Sequence, residues 1–251
     1  MKSFQENYRF GKFIVDGFEF PKVLIGSSPF IGAGQFGLKS IIYYKKFYLN
    51  PKNISKLLVK AIHKGCNAIQ AIVCPPIVSA IIEASSIAKV EMFVCTTIEL
   101  KNLTYELEAI KKLNAKCVLI HGSISDRKTN ELRNAFKKIK EHFKEAILGV
   151  ATHNPGKMIN EFMLMPDIKV ILSPINSNGE FMNSSIQRTL ISIENARKKG
   201  IKVIGMKTLA AGKIYPKNAF EYVSDKVDGV AIGIANSKEM EETLKLAEKY
   251  F

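Results

Sequence analysis

Two of the four histidines follow short β-branched runs, His121 after CVLI and His153 after ILGVAT, whereas His63 and His142 fall within helical patterns. An imidazole at a strand end polarises a carbonyl, shuttles a proton or binds a metal. The competing reading is a ring hydrogen-bonded for structure alone. Lys207 closes the run VIGMK. An amine held in an apolar mouth has a lowered pKa and forms Schiff bases with carbonyl compounds. Its competitor is a lysine that pairs with a carboxylate or points outward. Gln70 interrupts a third apolar run, AIQAIV. Cys66, Cys74, Cys95 and Cys117 form no CxxC pair and no zinc-finger spacing. Beside apolar runs they read as reduced, buried thiols.

These side chains meet only if the elements carrying them converge. Eight apolar runs alternate with amphipathic helical patterns: Val23–Gly26, Ala68–Val73, Met92–Thr96, Cys117–His121, Ile147–Ala151, Lys169–Leu172, Lys202–Met206 and Gly229–Gly233. Near-continuous apolar strands suit a parallel sheet covered on both faces. Between them, Ile54, Leu57, Leu58, Ala61 and Ile62 repeat at helical spacing, as do Leu132, Phe136, Ile139 and Phe143. Thr104 reads as the N-cap of the helix bearing Leu107, Ile110 and Leu113. Gly65 and Gly200 stop helices just before strands. Eight βα units without a long insertion predict a closed (β/α)8 TIM barrel, residues 1–251 forming one domain. Residues 10–20 alternate around Asp16-Gly17 and predict a hairpin plugging the barrel bottom. Residues 27–52, with Tyr43, Tyr44 and Tyr48, form a long first βα loop, a length that is usually functional at this face.

In such a barrel the strand C-termini carry the chemistry. That rule selects Gln70, His121 and Lys207 as catalytic candidates. Thr152, His153, Asn154 and Asn176 also sit at strand ends. The loops Ala210–Lys213, with Gly212, and Gly233–Lys238, with Asn236, Ser237 and Lys238, suit a phosphate cradle of backbone N–H groups and a helix N-terminus. Asn236 or Ser237 serves equally as a plain N-cap.

VIGMKTLAAGKIYPKNAFEY, VDGVAIGIANSKEMEETL, ILGVATHNP and VLIHGS together resemble the aldo-keto reductase superfamily. The resemblance implies a nicotinamide dinucleotide, NADP or NAD. Its phosphates would lie on the last two loops and its nicotinamide near Thr152, His153 and Asn154. His121 would be the catalytic histidine. The departures are equally specific. That family's second strand carries an aspartate and then a tyrosine acid, where this chain has Gln70 and no tyrosine. Its third strand ends in a lysine, where this chain reads FVCTTIEL.

The net charge is +14, from 37 basic and 23 acidic residues. It suits an anionic or phosphorylated small ligand, while no motif supports nucleic acid. The Lys, Ile and Asn richness also fits a thermophile. No apolar run is long enough to span a bilayer and no signal-peptide pattern opens the chain, so a cytoplasmic protein is expected. Four readings follow. The first is a divergent reductase-like enzyme and the second a Schiff-base aldolase using Lys207. The third is a metal-dependent lyase or hydrolase using His121 and His153 with Cys74 or Glu99. The fourth is a non-catalytic ligand-binding barrel. Composition sets neither substrate nor oligomeric state.

Overall fold

The structure, a computed structural model, describes residues 1, 3–127 and 129–251, without the side chains of residues 4, 5 and 129. After a short helix, α1 (Phe4–Asn7), come antiparallel strands β1 (Lys12–Val15) and β2 (Phe18–Pro21). They turn at Asp16-Gly17, both with positive φ. Phe20 is fully buried, stacked on Phe13 and edge-on to Phe93, with ring centroids at 4.9 and 4.7 Å. Phe93 opens a barrel strand, so the hairpin closes the strand-start end.

Eight parallel strands then form a closed barrel: β3 (Val23–Gly26), β4 (Ala68–Ile72), β5 (Phe93–Ile98), β6 (Cys117–Ile120), β7 (Ile147–Ala151), β8 (Val170–Pro174), β9 (Lys202–Met206) and β10 (Gly229–Gly233). The ring closes where β10 pairs with β3, Ile232 opposite Ile25. Most strand residues are buried, because helices cover the outside and side chains fill the inside. The helices after the first segment are α2 (Lys39–Tyr43), α3 (Pro51–His63), α4 (Pro75–Ala88), α5 (Leu103–Lys112), α6 (Gly122–Ser125) and α7 (Thr129–His142). They continue as α8 (Pro155–Phe162), α9 (Ile186–Lys198), α10 (Pro216–Val223) and α11 (Ser237–Ala247). Ile54, Leu57, Leu58, Ala61 and Ile62 all lie on the buried face of α3, as their spacing requires.

Three local expectations need correction. The N-cap of α5 is Asn102, whose side chain accepts from Tyr105 N–H, and Thr104 lies inside the helix. The strand preceding His121 ends at Ile120, and the ring itself caps α6. Lys207 likewise falls one residue beyond β9, with φ at 57°. The segment after β3 is also more ordered than a loop. It folds as two 3₁₀ turns, then α2 running directly into a π-helical turn at Tyr44–Tyr48. Phe30 and Phe47, both buried, hold it down at 5.2 Å between rings. Gly32 permits the crossing, since a Cβ there would lie 2.8 Å from Cβ of Tyr44.

Candidate active site

His121, His153 and Lys207 converge at the strand-end mouth. The two imidazoles lie edge to face, 5.5 Å between centroids. Lys207 Nζ is 3.2 Å from His153 Nδ1. Burial, then the Lys207 and His121 charges, pushes His153 down to about 4. The ring is therefore neutral near pH 7, and its Nδ1 accepts an N–H from the lysine. Burial also brings the Lys207 amine down to about 8, against a partial rise from Asp126. His121 is lowered too, chiefly by burial, with Glu99 opposing. Ser123 N–H donates to its Nδ1 at 3.2 Å, which leaves Nε2 to carry the ring proton.

A second layer of bonds fixes these groups. Asp126 accepts from Thr152 Oγ1 at 2.6 Å and from His153 N–H at 2.8 Å. Ser125 Oγ donates to the Ala151 carbonyl. Gly122 follows His121 closely for a steric reason: a Cβ there would sit 3.0 Å from His153 Cδ2. Lys207 holds its left-handed φ because Asn176 Nδ2 and Ala210 N–H both donate to its carbonyl, at 3.2 and 2.9 Å. A non-glycine residue adopts this region at a cost, and here the cost aims the amine.

The cluster lines a cavity of about 500 Å³ walled by Ile31, Ile72, Leu172, Phe181 and Met206. Gln70 lines it as well, donating Nε2 to Thr97 Oγ1 at 2.8 Å. Gln70 thus forms a neutral pair with a threonine of β5. None of Tyr43, Tyr44 and Tyr48 lines this cavity. A groove of about 280 Å³ shares its Ser28, Gln35, Gln70, Met206 and Lys207 wall and runs on past Thr208, Ala211 and Gly212 to Gly233, Asn236 and Glu239.

The other expected residues take distinct places. Gly212, Gly233 and Asn236 line the groove. Asn236 is also the N-cap of α11, accepting from Glu239 N–H at 2.9 Å. Ser237 faces a different cavity and accepts from Lys60, while Lys238 is exposed and lines neither cavity nor groove. Thr152 is buried beneath the mouth on Asp126. Asn154 precedes α8, its N–H on Thr152 Oγ1. Asn176 is buried and spends both ends of its amide on loop backbone, so it shapes the loop and the Lys207 carbonyl. Phe181 and Asn183, both cavity-lining and both at positive φ, are absent from the sequence-based selection. They lie well past β8, where strand-end logic does not reach.

Among the described residues no three His, Cys, Asp or Glu side chains form a metal-binding group. The Lys207 ammonium on His153 would also repel a cation. The four cysteines are free thiols, three of them buried. No described helix is long and apolar enough to cross a membrane.

The closed parallel barrel is similar in fold to several solved aldo-keto reductases. A Pseudomonas aeruginosa protein classed as an aldo-keto reductase superposes with a TM-score of 0.70 at 15% identity, over 95% of each chain. The Bacillus halodurans aldo-keto reductase, in its holo form, gives 0.64 at 11%, over 95% of this chain and 91% of that one. A solved aldolase gives 0.53 at 19%, over 79% and 90%. No family model and no curated protein sequence matches the chain.

Proposed function

We propose that the mouth binds a carbonyl compound together with a nicotinamide dinucleotide, and that Lys207 and His121 act on the carbonyl oxygen. One observation carries this reading: the Lys207 amine, hydrogen-bonded to His153, stands in the wall common to a cavity and an elongated groove. The groove suits a dinucleotide in three respects. Thr208 lines it with a buried hydroxyl that lacks a hydrogen-bond partner. Open space lies over Gly212, where an added Cβ meets nothing within 4 Å. The Glu239 carboxylate takes Ala235 N–H and the Asn236 amide, at 3.0 and 3.3 Å. With the Ala235 N–H and the Asn236 amide committed to a carboxylate, that end of the groove suits ribose hydroxyls, and phosphate belongs nearer Thr208–Gly212.

When bound, the nicotinamide supplies hydride to the substrate carbon or removes it. Such chemistry needs a proton donor at the oxygen. Lys207 with a pKa of about 8 is mainly ammonium at neutral pH. It gives one N–H to His153 and keeps two for the substrate oxygen. As the oxygen becomes an alkoxide, Lys207 delivers a proton and is left as the amine. Neutral His153 holds the amine in place, and His121, protonated on Nε2, offers a second donor. The pair replaces the tyrosine acid this chain lacks.

The chain has no tryptophan, so binding is read on the emission of the reduced dinucleotide itself. Saturable enhancement is expected below millimolar NADH or NADPH, and none at millimolar cofactor removes the reading. Lys207→Met is expected to keep that binding while lowering carbonyl reduction by about 10²-fold or more.

The depressed Lys207 pKa, with a neutral imidazole beside it, also favours a second reading as a Schiff-base enzyme. There the amine adds to a carbonyl carbon, water leaves, and an imine forms. Borohydride reduction with phosphorylated aldehydes, followed by peptide mass spectrometry, decides it. An unmodified Lys207 sinks that alternative.

A further inference from the structure

Beyond the mouth, we propose a second ligand site: a basic cavity of about 550 Å³ that takes a phosphate monoester with an apolar body. It lies between the π-helical turn, α3, the end of α4 and the start of α11. Lys46, Lys56 and Lys60 line it above Phe47, Leu57 and Val59, and no carboxylate is among its lining residues. Lys46 Nζ donates to the Ala235 carbonyl at 2.7 Å and Lys60 Nζ to Ser237 Oγ at 2.9 Å. Both acceptors are neutral, so neither lysine is neutralised by an anion there, and Lys46 Nζ also lies 4.9 Å from the centroid of the Phe47 ring. Lys56 forms no ion pair or hydrogen bond among the described residues.

Among the described residues no ion pair answers Lys46, Lys56 or Lys60. Residues 20–82 contain no aspartate or glutamate. Of the lysines in that stretch, Lys64 alone is in an ion pair among the described residues, with Glu241. Glu239, near by in sequence, spends its carboxylate on Ala235 N–H and Asn236 in the neighbouring groove. Three cations sharing one cavity repel each other, and a bound dianion relieves all three pairs at once. The first turn of α11, where Ser237 lies, adds positive potential of the same sign. The apolar floor adds what a bare phosphate ion does not use, so a phosphate ester carrying a ring or chain fits better than the ion alone.

Phenyl phosphate, inorganic phosphate and phenol are the probes, titrated by calorimetry at constant ionic strength. Phenyl phosphate is expected to bind saturably and about tenfold tighter than inorganic phosphate, with phenol undetectable. Lys56→Gln with Lys60→Gln is expected to weaken phenyl phosphate at least about tenfold. Lys137→Gln with Lys138→Gln, on the distant α7, leaves it unchanged. Lys56→Gln alone, which has no internal bond to lose, guards against misfolding and should still cost about threefold. Equal affinity in the Lys56/Lys60 variant, or an equal loss in the α7 variant, overturns the site. NADH emission, followed in the same variants, reports the mouth separately: unchanged NADH binding with lost phenyl phosphate binding assigns the loss to this cavity.

Discussion

At the residue scale, the mouth concentrates groups that burial makes costly when charged. Lys207 has a folded pKa of about 8 against an ordinary 10.5. Between those values the unfolded chain binds more protons, so stability rises with pH across that window and the penalty is complete below pH 8. Lys207→Met is therefore expected to melt higher than the parent at pH 7, an advantage that vanishes towards pH 10.5. A constant difference across the scan would show that the amine is not desolvated. His153 runs the same way lower down, from 6.5 to about 4. The parent should lose stability as pH falls through that interval, and His153→Gln should lose less. Asp126 supplies the counter-effect on Lys207, so Asp126→Asn should lower the lysine pKa further, read from its side-chain carbon shift in NMR. Sequence showed His121, His153 and Lys207 because strand ends point them to one rim. It hid the Lys207–His153 bond and the Asp126 bracket, since both depend on loop geometry across 54 and 27 positions of chain.

At the scale of elements, the strands were the legible part. Each of the eight apolar runs overlaps an observed strand, because burial on both faces leaves an unbroken apolar signature. The hairpin was legible as well, from Asp16-Gly17 between alternating residues. Its value to the fold is testable: Phe20→Ala empties a fully buried site between Phe13 and Phe93 and should cost about 3–5 kcal/mol in urea unfolding. A loss under about 1 kcal/mol would mean the hairpin is not part of the cooperative unit. The segment after β3 was illegible in detail. Its π-helical turn and two 3₁₀ turns follow from Phe30 and Phe47 docking on the barrel, a tertiary constraint with no sequence period of its own. Phe181 and Asn183 were missed for a related reason, since their positive φ belongs to the loop that Asn176 organises.

At the scale of the whole molecule, the excess of 37 basic over 23 acidic residues is not spread evenly, because residues 20–82 carry lysines alone. The lysines of this stretch that line the second cavity should draw anions by long-range attraction, so association of phenyl phosphate is expected to slow several-fold between about 20 and 200 mM salt, with little change in dissociation. Stopped-flow rates that ignore salt would leave the charge without a steering role. The cavity and the groove, finally, have Ser28, Gln35, Gln70, Met206 and Lys207 in common along their edges. Two guests touching the same five side chains are not thermodynamic strangers. By whatever factor an occupant of the groove strengthens or weakens the hold on a carbonyl compound, the carbonyl compound must alter the hold on that occupant by the same factor.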